Sequence, residues 1–225
     1  SKSAAGKWIS KTFGKAPVLM SRVNPALRAS VAQNTLKNHG YFQGRVKYEV
    51  VTQSNPKKAK IGYTANFGPL YTLDSVAYLN FTPEITQLIG SRASISNLKK
   101  GSAFSVSAQD NERNRISTLL RDNGYYYFQP GYSSFLADTI QVPQKVQLKM
   151  LPTATMPETA KRRWYLGKID FYIRKQMGEA LTDSVKRKHL TLHYNGKRSP
   201  IRSRILMRNI FMRQGYMYRH RDENL

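Results

Sequence analysis

The chain has 225 residues and none of them is cysteine. A disulfide-stapled scaffold and a metal site built on thiolates are therefore excluded. The absence of cysteine does not indicate a compartment, because proteins of oxidising compartments can also lack it. No apolar run approaches the roughly 20 residues that a membrane-spanning helix needs. The sequence opens at Ser1 without an initiator methionine or a signal peptide, and we expect it to be an internal fragment of a longer protein.

Acidic residues are scarce: 13 Asp and Glu stand against 37 Lys and Arg, for a net charge of +24. A domain this basic has nucleic acid as its default partner, which makes a ribosomal-type binding protein the alternative hypothesis. The charge is uneven, with 12 basic residues against one acid in 1–71, 8 against 6 in 72–154, and 17 against 6 in 155–225. Positive charge is thus concentrated in the flanks of the chain.

Enzyme signatures are missing as well. The sequence has no Gly-rich phosphate loop, no GxSxG and no HExxH. His189 and His193 lie on a segment that alternates like a strand, where four residues span roughly 13 Å, too far for one metal ion. Asp110 and Glu112 open a predicted helix, where carboxylates suit the helix dipole. We therefore predict no enzymatic activity, no cofactor and no metal site.

One sequence motif, which we call the glycine phrase, occurs three times: a helix-like run ends in glycine and aromatic residues follow, at 36–42, 120–126 and 211–217. The glycines Gly40, Gly124 and Gly215 are 84 and 91 residues apart (124 − 40 and 215 − 124). That period is too long for a solenoid repeat and suits a small domain used three times. We predict three modules: a first module (1–70), a middle module (71–154) and a third module (155–225).

The middle module carries the most complete pattern. A strand at about 71–80 leads to a short helix, a longer helix at about 107–123, and strands at about 125–132 and 145–151, in the order β-α-α-β-β. The first module shows a helix, a strand, a turn at Asn55-Pro56-Lys57-Lys58 and a second strand, so its opening strand is missing. The third module opens with a phrase at 164–171 like that at 71–78, and its closing hairpin is predicted to be missing. Pro143, Pro152 and Pro157 predict a short, stiff joint between the last two modules.

An aromatic cluster follows Gly124 in the middle module. On a strand, Tyr126 and Phe128 would face one side and Tyr125 and Tyr127 the other, although such a cluster can also be a stacking platform for single-stranded nucleic acid. Pro130 follows, and proline within a strand indicates an edge position. An edge strand has free backbone donors and acceptors that can pair with an incoming extended chain.

These residues carry a family resemblance. The β-α-α-β-β order, the run Asp110–Phe128 with its Leu-Leu-Arg-Asp-Asn-Gly-Tyr-Tyr-Tyr-Phe ending, and the opening Trp-Tyr-Leu-Gly-Lys-Ile at Trp164 resemble POTRA domains of BamA/TamA-type outer-membrane assembly proteins. The sequence of the middle module is most similar to the TamL-type lipoprotein branch. The resemblance implies an α+β fold of tandem POTRA modules, each with two helices packed on a three-stranded mixed sheet.

The resemblance also implies a location and partners. Such a chain would lie at the periplasmic face of the bacterial outer membrane, joined to a C-terminal membrane β-barrel of the same full-length protein. It would bind unfolded outer-membrane polypeptides and a TamB-like periplasmic accessory protein by strand addition, and nucleic acid is not expected. The binding strand of the middle module would include Tyr125, Tyr126, Tyr127, Phe128, Gln129 and Pro130.

The basic residues of the third module form a further candidate surface. They could face anionic lipid headgroups, since cationic side chains near a membrane are attracted to its surface charge. The alternative is a solvated basic face without a ligand. The residues chosen for the lipid face are Lys161, Arg162, Arg163, Lys186, Arg187 and Lys188.

Overall fold

The computed structural model describes residues 22–54 and 59–223. The chain divides into two compact units, one ending at Tyr71 and the other beginning at Thr72. The boundary between the middle and third modules therefore lies inside the second unit and remains a prediction. None of the helices in the described ranges is long and apolar enough to cross a membrane.

The first unit is a helix followed by a hairpin. Helix α1 (Pro25–Asn38) begins after Asn24, whose side-chain oxygen accepts the Leu27 N–H at 3.0 Å. Strand β1 (Arg45–Thr52) then pairs antiparallel with β2 (Ala59–Asn66). The predicted order of helix, strand and strand is observed, whereas the predicted turn at 55–58 lies outside the described residues.

The second unit opens with the predicted β-α-α-β-β order. Its elements are β3 (Thr72–Tyr78), α2 (Pro83–Ser91), α3 (Val106–Arg121), β4 (Ser133–Asp138) and β5 (Lys145–Pro152). Side-chain oxygens of Thr82 and Ser105 cap the two helices by accepting the N–H groups of Ile85 and Ala108.

The sheet of this part is mixed, with the order β3-β5-β4. The last strand, β5, lies in the centre, parallel to β3 and antiparallel to β4. The core between sheet and helices contains Ile85 and Ile89 of α2, Ile116 and Leu120 of α3, and Met150 of β5. Two helices thus pack on a three-stranded mixed sheet, and the predicted α+β class is confirmed.

The remainder of the second unit departs from the predicted order. Strands β6 (Asp170–Tyr172), β7 (Asp183–Lys186) and β8 (Thr191–Tyr194) precede helix α4 (Ser203–Asn209). The β-α-α-β-β order is therefore wrong for this segment, because Thr191–Tyr194, in which every second residue is buried, form the central strand before α4 begins. The sheet order β6-β8-β7 still repeats the arrangement of the preceding sheet, with the first strand parallel to the central third one.

Candidate functional site

The predicted edge strand at 125–132 is not a strand. Residues 125–128 form a turn closed by the Phe128 N–H to the Tyr125 carbonyl at 3.0 Å. Tyr125 and Phe128 are buried together while Tyr126 and Tyr127 are exposed. The predicted division into Tyr126/Phe128 and Tyr125/Tyr127 faces is therefore wrong, because a turn buries positions three apart rather than two.

The proline that was expected to mark the edge stands just before it. Pro130 begins a short 3-10 turn (Pro130–Tyr132), and Gln129 is an exposed residue ahead of that turn. The edge strand itself is β4, which begins at Ser133, directly after the last residue of that turn. The edge strand lies in the connection between α3 and β5, about eight residues later than the predicted one (133 − 125).

Strand β4 has one paired side and one open side. It pairs with β5 from Ser133↔Pro152 to Asp138↔Gln147, and among the described residues no strand pairs with its other side. Alternate N–H and C=O groups of an antiparallel edge strand point away from its partner. An extended chain can therefore hydrogen-bond along β4.

The side chains of β4 separate its two faces. Phe135 packs against the helical core, whereas Leu136 lies on the opposite face beside Lys149 and is 60% exposed. Ile140, just past the strand, is 91% exposed. Apolar side chains at this edge would contact those of an added strand.

The glycine at the end of α3 holds the start of the third module. Gly124 has φ +96°, and its carbonyl oxygen accepts the Trp164 N–H at 2.8 Å. The Trp164 carbonyl in turn accepts the Tyr218 N–H at 3.0 Å. The Leu166 carbonyl accepts the Gly215 N–H at 2.8 Å, so the middle and last copies of the glycine phrase both contact residues 164–166. The same contact occurs within the first unit, where the Gly40 carbonyl accepts the Tyr71 N–H at 3.0 Å.

We call the contacts between residues 121–128 and residues 163–223 the joint, and the exposed aromatics after Gly124 belong to it. The rings of Tyr126 and Tyr218 lie 4.7 Å apart at 89°, and those of Tyr127 and Trp164 lie 5.1 Å apart at 78°. Both are edge-to-face contacts of the kind that stabilise aromatic pairs. The cluster is therefore a packing element of the joint, which disfavours its use as a row of free stacking platforms.

Polar contacts reinforce the joint. Arg121 at the end of α3 donates to the Tyr218 hydroxyl at 3.1 Å, and that hydroxyl donates to Glu223 at 2.9 Å. Burial, together with the bond to Glu223, raises the pKa of Tyr218 to about 12. The Asp122 carboxylate accepts the Arg221 N–H at 2.8 Å. Arg121 and Asp122 at the end of α3 thus bind residues 218–223 through the Arg121 Nη2 and the Asp122 carboxylate, whereas the buried Arg121 Nε has no hydrogen-bond partner among the described residues.

The six residues predicted to face lipid lie in two places. Lys161 pairs with Glu158 at 2.5 Å, and the guanidinium groups of Arg162 and Arg163 lie over the rings of Trp164 and Tyr125. The second group, Lys186–Lys188, is exposed at the end of β7. The first group is therefore engaged near the joint, while the second group is open to solvent.

A buried polar network was missed by the sequence interpretation. Glu112 is 0% exposed and accepts hydrogen bonds from the Tyr78 hydroxyl at 2.6 Å, from Arg115 at 2.6 and 2.9 Å, and from the Asn97 N–H at 2.9 Å. Burial alone would raise the pKa of Glu112, but these bonds outweigh burial and lower its pKa to about 2. Burial and the bond to Glu112 raise the pKa of Tyr78 to about 12. A saturated carboxylate of this kind locks α3 to β3 and to the loop after α2.

The two histidines considered as metal ligands have other contacts. His193 lies 3.0 Å from the Asp170 carboxylate, and the His189 ring contacts that of Tyr216. Within residues 22–54 and 59–223, no group of three His, Asp or Glu side chains could hold a metal ion.

Comparison with protein-family models gives no match, and comparison with curated proteins gives none. Among solved structures, the chain is similar to POTRA domains 3–5 of Haemophilus influenzae BamA, with a TM-score of 0.47, 13% identity, and coverage of 100% of this chain and 78% of that one. It is similar to Haemophilus ducreyi BamA lacking POTRA domains 1–3, with a TM-score of 0.41, 13% identity, and coverage of 68% and 27%. It is also similar to the N-terminal domain of Omp85 from Thermosynechococcus elongatus, with a TM-score of 0.27, 13% identity, and coverage of 100% and 77%.

Proposed function

We propose that the chain is the periplasmic arm of an outer-membrane protein assembly factor, and that β4 captures extended polypeptides by strand addition. The observation that carries the proposal is the open side of β4, a six-residue edge with the exposed side chains of Leu136 and Ile140 beside it. The repeated glycine phrase and the β-α-α-β-β order of residues 72–152, which resemble POTRA modules, supply the biological setting.

The proposed partners follow from that chemistry. An edge strand pairs with a segment that is not yet folded, or with a strand that a second protein leaves free. Unfolded outer-membrane polypeptides are the first kind and a TamB-like accessory protein is the second. The C-terminal β-barrel of the same full-length protein and anionic lipid headgroups are the remaining proposed neighbours. The TamL-type assignment stays part of this proposal.

Proline substitution tests the use of β4. In an antiparallel edge strand, two successive N–H groups point to opposite sides, so one of Leu136→Pro and Ala137→Pro removes an outward donor and the other breaks the pairing with β5. The first kind of variant should keep its circular dichroism and unfolding midpoint. Loss of one or two backbone hydrogen bonds to the added strand should weaken its binding about tenfold.

Binding is measured by fluorescence anisotropy with a labelled nine-residue peptide taken from a transmembrane β-strand. Leu136→Ser measures the contribution of the side chain separately, since it removes the apolar side chain and leaves the backbone donor in place. A folded proline variant that binds the peptide as tightly as the unmodified chain would show that β4 is not the capture edge.

A further inference from the structure

The third module contains a cavity of about 390 Å³ beside the β7–β8 hairpin and the segment that leads into α4. Its apolar wall is formed by Val185, Leu192 and Tyr194, of which Leu192 and Tyr194 are buried. Five cationic side chains also line this cavity, which we call the basic cavity: Arg187, Lys197, Arg198, Arg202 and Arg204.

None of these five cations is in an ion pair with a carboxylate in the part of the chain that the structure describes. Residues 183–208 contain eight Lys and Arg and a single acid, Asp183. The Asp183 carboxylate accepts bonds from the Thr182 hydroxyl at 2.6 Å and the Gly196 N–H at 3.3 Å. The single acid of this segment thus already accepts two hydrogen bonds.

All five cations are exposed, so water and salt screen them, and like charges around one cavity still repel each other at short range. A neutral or hydrophobic ligand would leave the repulsion in place, whereas an anion would relieve it. Folding of the hairpin does not require five cations at this spot, since its core consists of Leu190, Leu192 and Tyr194.

We propose that the basic cavity binds a phosphoryl group. Guanidinium groups match the oxygens of phosphate with paired donors, and four of the five cations are arginine. Ser199 and Ser203 add hydroxyl groups to the lining. A cavity of this volume admits a phosphate together with part of the group that carries it. Of the six residues of the predicted lipid face, only Arg187 lines the basic cavity. The other four cations of the cavity lie at positions 197–204.

The inference does not depend on strand capture by β4, because the two sites share no residue. The phosphoryl group has two sources that the chemistry alone leaves equal: a phosphorylated lipid headgroup and a free phosphate or pyrophosphate.

The first experiment titrates the full chain with inorganic pyrophosphate by isothermal calorimetry and by 15N NMR. The triple variant R187Q/R198Q/R202Q should bind pyrophosphate at least about tenfold more weakly, since it loses three charge-assisted donors. The control R92Q/K99Q/K149Q removes three exposed cations elsewhere in the second unit, for the same net charge of +21 (24 − 3). It should stay within about twofold of the unmodified chain.

NMR shifts should concentrate at residues 185–204. Equal weakening in the two triple variants, or the absence of saturable binding, would overturn the proposal. A single-stranded RNA oligonucleotide is titrated in the same way. If it binds more tightly than pyrophosphate, and both triple variants weaken its binding equally, the proposal is overturned in favour of non-specific attraction to nucleic acid.

Vesicles distinguish the two sources. Cosedimentation with phosphatidic acid vesicles that pyrophosphate competes away, and that R187Q/R198Q/R202Q abolishes, would support the site with a lipid headgroup as its ligand. Pyrophosphate binding without such cosedimentation would support the same site with a free phosphate as its ligand.

Discussion

Gly124→Ala should loosen the joint between the middle and third modules. A Cβ at position 124 would lie 2.9 Å from Cγ and 3.0 Å from Sδ of Met217, and 3.2 Å from Cβ of Arg163. Gly124 also has φ +96°, a conformation that side chains rarely adopt. Gly215 is the matched control, because it has φ +82° and a Cβ there would meet no atom within 4 Å.

The two substitutions share one cost and differ in the other. Placing alanine at a positive φ costs about 1 kcal/mol at either position. At position 124 the Met217 and Arg163 side chains must also move, and overpacking of this kind costs about 1–3 kcal/mol. We therefore expect Gly124→Ala to destabilise the second unit by about 2–4 kcal/mol and Gly215→Ala by about 1 kcal/mol.

Amide hydrogen exchange locates the effect and urea unfolding measures its size. In Gly124→Ala, the Trp164 and Tyr218 N–H groups should lose protection before those of β5, because Trp164 donates to Gly124 across the joint and Tyr218 donates to Trp164. In Gly215→Ala, protection of the Trp164 N–H should follow the global stability. Equal destabilisation by the two substitutions would refute the close approach of Met217 as the cause.

Three further predictions concern stability. Glu112→Gln should abolish an acid-dependent loss of stability. The pKa of the Glu112 carboxyl is lowered from 4.5 to about 2, which corresponds to about 3 kcal/mol of folding free energy. This contribution is present above pH 4.5 and disappears as the pH falls towards 2. Urea midpoints between pH 7 and 2 check this, with Asp110→Asn as a surface control that should leave the acid dependence intact. Tyr78→Phe, which removes the 2.6 Å bond to Glu112, should cost about 1–2 kcal/mol at pH 7, and an unchanged midpoint would contradict the role of the network. Asn24→Ala should cost about 1 kcal/mol in the first unit through loss of the α1 cap, measured by the helical signal on heating.

Local signals in the sequence were sufficient for the helices of residues 72–152. Thr82 with Pro83 marks the start of α2, and Gly124 ends the turn after α3, because caps and positive-φ glycines act within a few residues. The same glycine signal failed at Gly215, because α4 ends at Asn209, six positions before the glycine (215 − 209). A glycine indicates a left-handed position and does not by itself indicate a preceding helix.

The candidate site was predictable only in part. That the first strand of the β4–β5 hairpin is an edge follows from the topology, but alternating aromatics at 125–128 cannot distinguish a strand from a turn. Whether residues 125–128 form a strand or a turn depends on contacts across the joint. These contacts join residues about 40 to 100 positions apart, such as Gly124 with Trp164 and Asp122 with Arg221. For Glu112, the sequence shows a carboxylate early in α3, while its partner Tyr78 lies 34 residues away.

The central position of β5 also governs the order in which the fold can form. Thr72 of β3 pairs with Lys145 of β5, 73 positions later (145 − 72), so the sheet closes only after the whole intervening segment is available. Until then β3 and β4 have no strand to join them, and the apolar side chains of Leu136 and Phe135 are both unprotected. A chain that emerges from its amino end would thus pass through a stage at which β4 is open on two sides rather than one. Cleavage between Asp138 and Lys145 would cut the covalent link between the central strand and both of its neighbours, so hydrogen bonds and core packing alone would then hold this sheet together.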